Sequence, residues 1–150
     1  MTPINLMSIG VASDHAGYEL KTKVIKHLES KGCVVHDFGT DSAESVDYPD
    51  YAHKLAGAVE SGSCHFGIAI CGSGNGVNMT VNHHRKVRGA LCWTPEIAAL
   101  ARQHNDANII SLPARFIEAS IALQMVDVFL STDFEGGRHQ RRVEKIDLAE

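Results

Sequence analysis

A nucleophilic thiol stands at the start of a glycine-rich turn in this chain, within the segment Ile70-Cys71-Gly72-Ser73-Gly74-Asn75-Gly76. The apolar run Phe66–Ile70 before it predicts a short buried strand. Glycines at alternate positions leave backbone N–H groups uncovered, and such groups can converge on an anion. Clustered N–H dipoles also favour the thiolate, which is the reactive form of cysteine. The segment therefore predicts a site for proton abstraction or nucleophilic attack near neutral pH.

The same segment is open to other interpretations. A lone cysteine that closes a strand is more often a small buried hydrophobe than a nucleophile. A dinucleotide site needs the spacing GxGxxG, whereas the glycines here give GxGxG and are followed by Val77. The acidic residue expected about twenty positions further on is missing from Ala90-Leu91-Cys92-Trp93. A phosphate-binding P-loop is also excluded, because no Gly-Lys-Ser/Thr follows the glycines.

Length and composition are those of one globular domain. The chain has 150 residues, 44% of them hydrophobic and 21% charged, which predicts a single domain over residues 1–150. A formal net charge of −4 gives no overall attraction to nucleic acid or to an anionic membrane. The sequence shows no membrane span and no signal peptide, so we expect a cytoplasmic protein. The cysteines form no CxxC pair, which argues against a zinc site or a disulfide scaffold.

Strand-like and helix-like segments alternate along the whole chain. Strands are predicted at Met7–Ala12, Cys33–Phe38, Phe66–Ile70, Val87–Cys92 and Asn108–Leu112. Helices are predicted at Leu20–Leu28, Ala52–Val59, Val77–Asn82, from Pro95, at Ile117–Phe129 and from Gly137 to near Asp147. The lysines at 21, 23 and 26 are expected on the outer face of the first helix. The fold class is thus α/β: a single Rossmann-like three-layer domain whose five-stranded parallel sheet has helices on both faces.

Polar residues follow four of the five predicted strands. Asp14-His15 come after the first strand, Cys71 after the third, Thr94 after the fourth and Arg115 after the fifth. Because the carboxyl ends of parallel strands meet at one edge of the sheet, these residues are expected to share a cleft there.

Further candidate residues lie on predicted helices. His104-Asn105 end the helix that begins at Pro95, where they either belong to a site or only cap the helix. Arg138 and Arg142 are four residues apart, so one helix face could present both to a phosphate, although a solvated basic face is more common. The run His83-His84-Arg85-Lys86 receives no role, because neighbouring histidines diverge and chelate poorly.

Five ordered motifs together resemble one known family. They are Ser13-Asp14-His15-Ala16-Gly17, Asp47-Tyr48-Pro49, Ile70-Cys71-Gly72-Ser73-Gly74, Arg102-Gln103-His104-Asn105 and Glu135-Gly136-Gly137-Arg138-His139. Over nearly the whole chain they resemble the sugar-phosphate isomerases that include ribose-5-phosphate isomerase B. The resemblance implies that aldose and ketose phosphates are interconverted through an enediolate, without a metal or another cofactor. It also implies a homodimer, or a dimer of such dimers, with active sites shared between protomers.

The resemblance implies a role for each residue around the thiol. Cys71 is the base that takes a proton from C2 and returns it at C1. The backbone of Gly72, Gly74, Asn75 and Gly76 stabilises the enediolate oxygen, and Ser73 moves a proton between O1 and O2. His104, with Asp14 nearby, opens the furanose ring, a step that needs an acid and a base.

Substrate-binding residues are implied in the same way. His15, Arg138 and Arg142 resemble the phosphate ligands, with Arg115 a weaker candidate. Tyr48 and Asn105 are expected to contact sugar hydroxyls.

The chain departs from the family pattern at three positions. Val77 stands where one branch of the family has a glutamate base, which leaves Cys71 as the candidate base, although Asn75 resembles that other branch. Pro113 stands where a glycine is expected before Arg115; it removes a backbone donor and is expected to shift that arginine.

Several functions are compatible with this set of residues. An isomerase of ribose 5-phosphate is favoured, because base, oxyanion donors, ring-opening group and phosphate ligands all occur in one chain. That completeness argues against one subunit of a heteromeric galactose-6-phosphate isomerase. The alternatives are an isomerase of a six-carbon phosphate such as allose 6-phosphate, a cysteine hydrolase or acyl transferase, and a non-catalytic sugar-phosphate binder. One carbon is worth only about 1–3 kcal/mol of discrimination, so the sequence does not fix the sugar.

Overall fold

The computed structural model describes residues 2–149 and follows the predicted alternation of strands and helices. The strands are β1 (Ser8–Ser13), β2 (Val34–Asp37), β3 (Phe66–Cys71), β4 (Gly89–Leu91) and β5 (Ile109–Pro113). The α-helices are α1 (Tyr18–Ser30), α2 (Tyr48–Glu60), α3 (Asn75–Val81), α4 (Pro95–Asn105), α5 (Ala119–Ser131) and α6 (Arg138–Glu144). Two short 3-10 turns lie at Ile4–Leu6 and His15–Gly17.

The five strands form one sheet in the order β2-β1-β3-β5-β4, and every pairing is parallel. Parallel neighbours need crossover connections, and helices α1 to α4 supply them by returning the chain to the amino edge of the sheet. The buried side chains of α1, α4 and α5 form one core with one face of the sheet, and those of α2 and α3 form a second core with the other. The predicted fold class is confirmed.

The two faces of the sheet are packed differently. Val11, Ile68 and Ile110 lie side by side on the face covered by α1, α4 and α5, and all three are fully buried. On the opposite face Leu55 of α2 fills the space above Gly10 and Gly67. A Cβ atom at either glycine would lie within 3 Å of Leu55 Cδ1. Both glycines are therefore needed for the close approach of α2 to the sheet.

Several predicted boundaries shift by one to three residues. Strand β1 continues to Ser13, whereas β4 is limited to three residues, because it is an edge strand and pairs with β5 alone. Helix α3 already begins at Asn75, directly after the glycine turn. Ile117 precedes α5 rather than belonging to it, and α6 ends at Glu144 rather than near Asp147.

The expectation that Lys21 points outward is wrong. Lys21 is only 2% exposed, and its Nζ donates hydrogen bonds to both carboxylate oxygens of Asp37, at 2.7 and 2.8 Å. The reason is that α1 packs beside the edge strand β2, so a lysine next to the apolar stripe reaches the end of that strand. The Asp37 carboxylate also accepts a bond from Gly39 N–H, which fixes the start of the loop after β2.

The direction of the chain across the sheet changes between β1 and β3. The chain passes from β1 outward to β2 and then crosses back over β1 to β3. From β3 it goes to the opposite edge strand β4 and returns to β5, which lies between β3 and β4. In open α/β sheets the crevice at the carboxyl ends of two such strands is the usual ligand site. Asp14 follows β1 and Cys71 ends β3, so the predicted chemistry falls at this crevice. Within residues 2–149, no helix has both the length and the apolar composition to cross a bilayer.

Candidate active site

A cleft of about 510 Å³ opens at the carboxyl edge, between the ends of β1, β3 and β5; it is called the cleft below. It brings together eight of the fourteen residues that the sequence singled out: Asp14, His15, Tyr48, Cys71, Gly72, Ser73, Gly76 and Arg115. Ala16 and Phe116 complete its lining, and neither was anticipated from the sequence. Gly74 and Asn75 lie in the same turn but do not line the cleft.

Cys71 is the last residue of β3 and is 5% exposed. Cys71 is therefore buried and also lines the cleft. The interpretation as a small buried hydrophobe and the interpretation as a nucleophile are both compatible with this position. Its carbonyl accepts a bond from Ala114 N–H, which ties the end of β3 to the loop after β5. The thiol is held by strand pairing rather than by a mobile loop.

Close packing explains two glycines of the turn. Gly74 has a φ of +76°, and a Cβ atom there would lie 2.5 Å from Leu91 Cδ1. A Cβ atom on Gly76 would lie 2.6 Å from the ring of Tyr48. One expected oxyanion donor is already engaged, because the N–H of Asn75 donates to Ser73 Oγ at 3.2 Å. Packing against Leu91 and Tyr48 therefore determines the shape of the turn, which also remains open to a ligand.

Asp14 and His15 are fixed by the turn that follows β1. Asp14 Oδ1 accepts a bond from Gly17 N–H and caps the 3-10 turn. The backbone N–H of Val46 donates to His15 Nδ1 at 3.1 Å. A neutral His15 must therefore carry its proton on Nε2, where it can act as a hydrogen-bond donor.

Arg115 remains in the cleft although Pro113 precedes it. Its N–H donates to the carbonyl of Gly72 at 3.0 Å, and its guanidinium lies over the same residue. Pro113 pairs with Cys71 at the end of β5, so the missing donor falls at the last position of the strand. The departure from the family pattern leaves the arginine in the same cleft as the thiol.

Besides Gly74 and Asn75, four predicted site residues do not line the cleft: His104, Asn105, Arg138 and Arg142. Helix α4 runs from the carboxyl ends of the strands back to their amino ends, because it connects the parallel strands β4 and β5. His104 near its end therefore lies at the edge of the sheet opposite to Asp14. Within one chain the two residues are therefore far apart, and their expected proximity stays a prediction about two chains.

These four residues instead form a second group with α6 and the segment before it. The ring of His104 stacks on that of His139, with centroids 4.3 Å apart and an angle of 11° between the planes. Glu135 Oε1 lies 3.7 Å from His104 Nε2 and 3.5 Å from His139 Nε2. The α4–α6 cluster is defined below as His104, Asn105, Glu135, Arg138, His139 and Arg142.

Charges around the cluster act on His139. Its pKa is lowered by desolvation first, and then by the positive charges of His104 and Arg138; Glu135 acts in the opposite sense. His139 and Glu135 were quoted in a motif but received no role from the sequence. Helical spacing gave no signal for their meeting, because Glu135 precedes α6 and the turn at Gly136-Gly137 separates it from His139.

The cluster also contains the one group of possible metal ligands found among residues 2–149. Ligand atoms of His104, Glu135 and His139 lie within 4.8 Å of one another. An imidazole binds a metal along the lone pair in its own plane, and the two rings lie in nearly parallel planes. The two histidines cannot point at the same ion without rotating, so the stacked arrangement is not a preformed metal site.

Comparison with known proteins points to one family. The family model described as Ribose/Galactose Isomerase matches residues 9–146. The chain is 41% identical over 145 residues to ribose-5-phosphate isomerase B of Escherichia coli, covering 97% of each protein. It is 47% identical over 139 residues to a probable ribose-5-phosphate isomerase B of Mycoplasma pneumoniae, covering 92% of this chain and 91% of the relative.

Solved structures show the same similarity. A ribose 5-phosphate isomerase from Thermotoga maritima superposes with a TM-score of 0.92 at 53% identity, over 94% of this chain and 97% of that one. Ribose-5-phosphate isomerase B from Mycoplasma genitalium, solved with bound ribulose-5-phosphate, superposes with a TM-score of 0.90 at 45% identity, over 93% of each chain. The chain therefore belongs to the ribose/galactose isomerase family.

Proposed function

We propose that this protein interconverts ribose 5-phosphate and ribulose 5-phosphate through an enediolate. The observation that carries the proposal is the cleft itself, in which a thiol, a glycine turn, His15 and Arg115 meet at the crevice between β1 and β3. The similarity to a relative whose structure holds ribulose-5-phosphate supports the choice of sugar. Such an activity would place the protein in cytoplasmic pentose phosphate metabolism.

The proposed chemistry is a proton transfer between neighbouring carbons. Cys71 as thiolate takes the proton from C2 of the open-chain aldose. The electron pair of the C–H bond forms the C1–C2 double bond of the enediolate, and the π pair of C1=O1 moves to O1. Ser73 moves a proton from O2 to O1; C2=O2 then forms, and the electron pair of the C1–C2 double bond takes the proton of the thiol at C1. Backbone donors of the glycine turn stabilise the developing negative charge, and one such donor is worth about 3 kcal/mol in comparable sites.

Phosphate binding is divided between the cleft and a second protomer in this proposal. In the cleft, His15 offers Nε2–H, and Arg115 supplies a positive charge beside Gly72. Arg138 and Arg142 are exposed and belong to the α4–α6 cluster, so they would serve the cleft of a partner subunit. The same holds for His104 and its ring-opening role with Asp14.

A two-fold homodimer satisfies this requirement, because a two-fold axis brings equivalent residues of each chain to the other. Exposed apolar side chains around the cleft support burial against a second copy. Phe116, which lines the cleft, is 76% exposed, and Met79 on the adjoining helix α3 is 67% exposed. Tyr48 and Trp93 are exposed as well. Each such dimer, alone or paired with a second dimer, would complete two sites at once.

A cysteine hydrolase is less compatible with the observed contacts. That function needs a histidine within hydrogen-bond reach of the thiol. Within residues 2–149, Cys71 makes no hydrogen bond to a histidine, and His15 Nδ1 is engaged by Val46. The geometry favours proton abstraction over acyl transfer.

A coupled assay of ribulose 5-phosphate formation tests the proposal. We expect turnover of ribose 5-phosphate with no added metal or cofactor, and lower kcat/KM for allose 6-phosphate and galactose 6-phosphate in the same panel. A higher kcat/KM for a six-carbon substrate would change the assigned sugar. Binding of ribose 5-phosphate without turnover of any sugar in the panel would overturn the enzyme assignment.

A further inference from the structure

His104 and His139 form a stacked pair within the α4–α6 cluster. His139 is buried, and His104 is half-buried on top of it. A ring stacked at 4.3 Å with an 11° tilt cannot turn about its own bond without losing the contact. The plane of the His104 imidazole is therefore set by His139.

One carboxylate oxygen faces both rings. Glu135 Oε1 lies within ion-pair distance of Nε2 on His104 and of Nε2 on His139. A carboxylate accepts hydrogen bonds and does not donate them, so its presence favours a proton on Nε2 of the ring that it serves. Nδ1 of His104 is then the nitrogen left to exchange a proton with a substrate.

The charges around the pair disfavour a proton on His139. His139 has its pKa lowered by burial and by the neighbouring charges of His104 and Arg138, which keeps its ring neutral near neutral pH. Two stacked imidazolium rings beside Arg138 and Arg142 would repel each other. The carboxylate of Glu135 can consequently pair with Nε2 of His104.

The backbone holds this arrangement in place. Glu135 N–H donates to the carbonyl of Gln103 at 3.0 Å, and the buried Arg102 donates from Nε to Thr132 O at 3.1 Å. The segment before α6 is thus fixed to the end of α4. Gly136 and Gly137 both have positive φ, and this turn brings Glu135 and His139 to the same histidine.

We infer that Glu135 and His139 are positioning residues for His104: His139 fixes the plane of its imidazole, and Glu135 fixes which nitrogen meets the substrate. The inference rests on the proposed ring-opening role of His104. In that step the imidazolium form of His104 gives the Nδ1 proton to the ring oxygen O4, and the O1 hydroxyl proton goes to the ionised carboxylate of Asp14 of the partner subunit. The C1–O4 bond breaks, and its electron pair stays on O4 while C1=O1 forms.

The test compares a substrate that must be opened with one that is already open. Ribose 5-phosphate is a furanose, whereas ribulose 5-phosphate has its C5 oxygen blocked and stays acyclic. We expect His139→Ala and Glu135→Ala to lower kcat on ribose 5-phosphate about ten-fold, a part of the 10²–10⁴-fold typical of general acid–base catalysis. Enzyme-catalysed exchange of solvent deuterium into ribulose 5-phosphate should change by less than about two-fold, because it needs no ring opening.

Matched variants separate positioning from folding. His139→Phe keeps an aromatic face under His104 and should recover most of the kcat, whereas Glu135→Gln keeps an acceptor and should recover more than Glu135→Ala. Equal losses in turnover and in exchange for His139→Ala would overturn the inference, since they would indicate a structural role. The inference also fails if His139→Phe is as impaired as His139→Ala.

His104→Ala serves as the reference for the ring-opening role itself. The proposed role predicts the same selective loss in this variant, larger than in the others. If His104→Ala loses turnover and exchange equally, the role of His104 is wrong, and the positioning inference falls with it. If His104→Ala is selective but both Glu135→Ala and His139→Ala are normal, the positioning inference alone is wrong.

Discussion

The cleft and the α4–α6 cluster are built in different ways. The cleft is made by backbone: strand ends place Cys71 and Asp14, and a backbone N–H orients His15. The cluster is made by side chains, since a ring stack and a shared carboxylate set His104. Residues of the cleft are thus positioned by the fold itself, whereas the cluster depends on a few contacts that single substitutions remove.

The largest expected effect is at the thiol of the cleft. Cys71→Ala should lower turnover about 10²–10⁴-fold, because it removes the base while leaving the strand that carries it. Steady-state turnover, with deuterium incorporation from solvent as a second measurement, checks the change. Cys92→Ala is a matched control, since Cys92 is fully buried and lies outside the cleft.

Near-normal turnover of a folded Cys71→Ala protein would remove the base assignment. A comparable loss in Cys92→Ala would instead show that the effect comes from packing. Burial raises the pKa of the Cys92 thiol to about 12, so this control thiol stays protonated across the assay range.

Mixing two inactive proteins tests whether the two regions meet across a dimer. Cys71→Ala disables the cleft and Arg138→Ala disables the cluster, so a mixed dimer has one site with both defects and one with neither. Random reassortment of equal amounts makes about half of the dimers mixed, and about a quarter of all sites intact. Activity should reappear to about that extent once subunit exchange has been verified by mass spectrometry.

Persistent inactivity after verified exchange would place Arg138 in the site of its own chain. That result would also contradict the division into two regions, because the cluster would then have to reach the cleft around the edge of one domain.

The difference between the two regions also explains what the sequence could predict. Apolar alternation and the rule for carboxyl strand ends were enough to place Asp14, Cys71 and Arg115 together. The stack of His139 on His104 was missed, because nothing in local periodicity says which helix ends meet at the far edge of a sheet. The buried Lys21 was missed for a related reason: its partner Asp37 lies on a different element.

Two glycines with similar φ angles allow the cost of backbone strain to be measured separately from the cost of crowding at the cleft. Gly62 has a φ of +85°, and a Cβ atom added there would meet nothing within 4 Å, whereas a Cβ atom on Gly74 would meet Leu91 and the backbone of β5. Gly62→Ala should cost about 1–2 kcal/mol of unfolding free energy from its backbone alone. Gly74→Ala should cost about 1–3 kcal/mol more from overpacking, and it should also lower turnover.

Urea denaturation of both variants measures the difference. Equal losses of unfolding free energy in the two variants would mean that the turn at Gly74 accommodates a Cβ atom without added strain. The backbone of the cleft would then be less rigid than its contacts indicate.

A smaller effect is expected at His15. Asn places its amide near the Nδ1 position of histidine, and Gln places its amide near Nε2. If His15 binds phosphate through Nε2–H, His15→Asn should raise KM about ten-fold, the loss of one hydrogen bond to a charged group, and His15→Gln should raise it less. A larger KM increase in His15→Gln than in His15→Asn would show that the Nδ1 side faces the ligand.

The smallest effect, no change in rate, is expected when metal ions are removed. Histidine binds zinc at about 2.0–2.1 Å along the lone pair in its ring plane, and two rings stacked 11° apart direct their lone pairs along separate planes. Binding an ion would require the buried His139 to rotate away from His104. Dialysis against EDTA should therefore leave kcat and KM unchanged in the wild type and in His139→Ala alike. Inhibition by EDTA that zinc reverses in the wild type, but that His139→Ala does not show, would make the cluster a metal centre rather than a stacked pair.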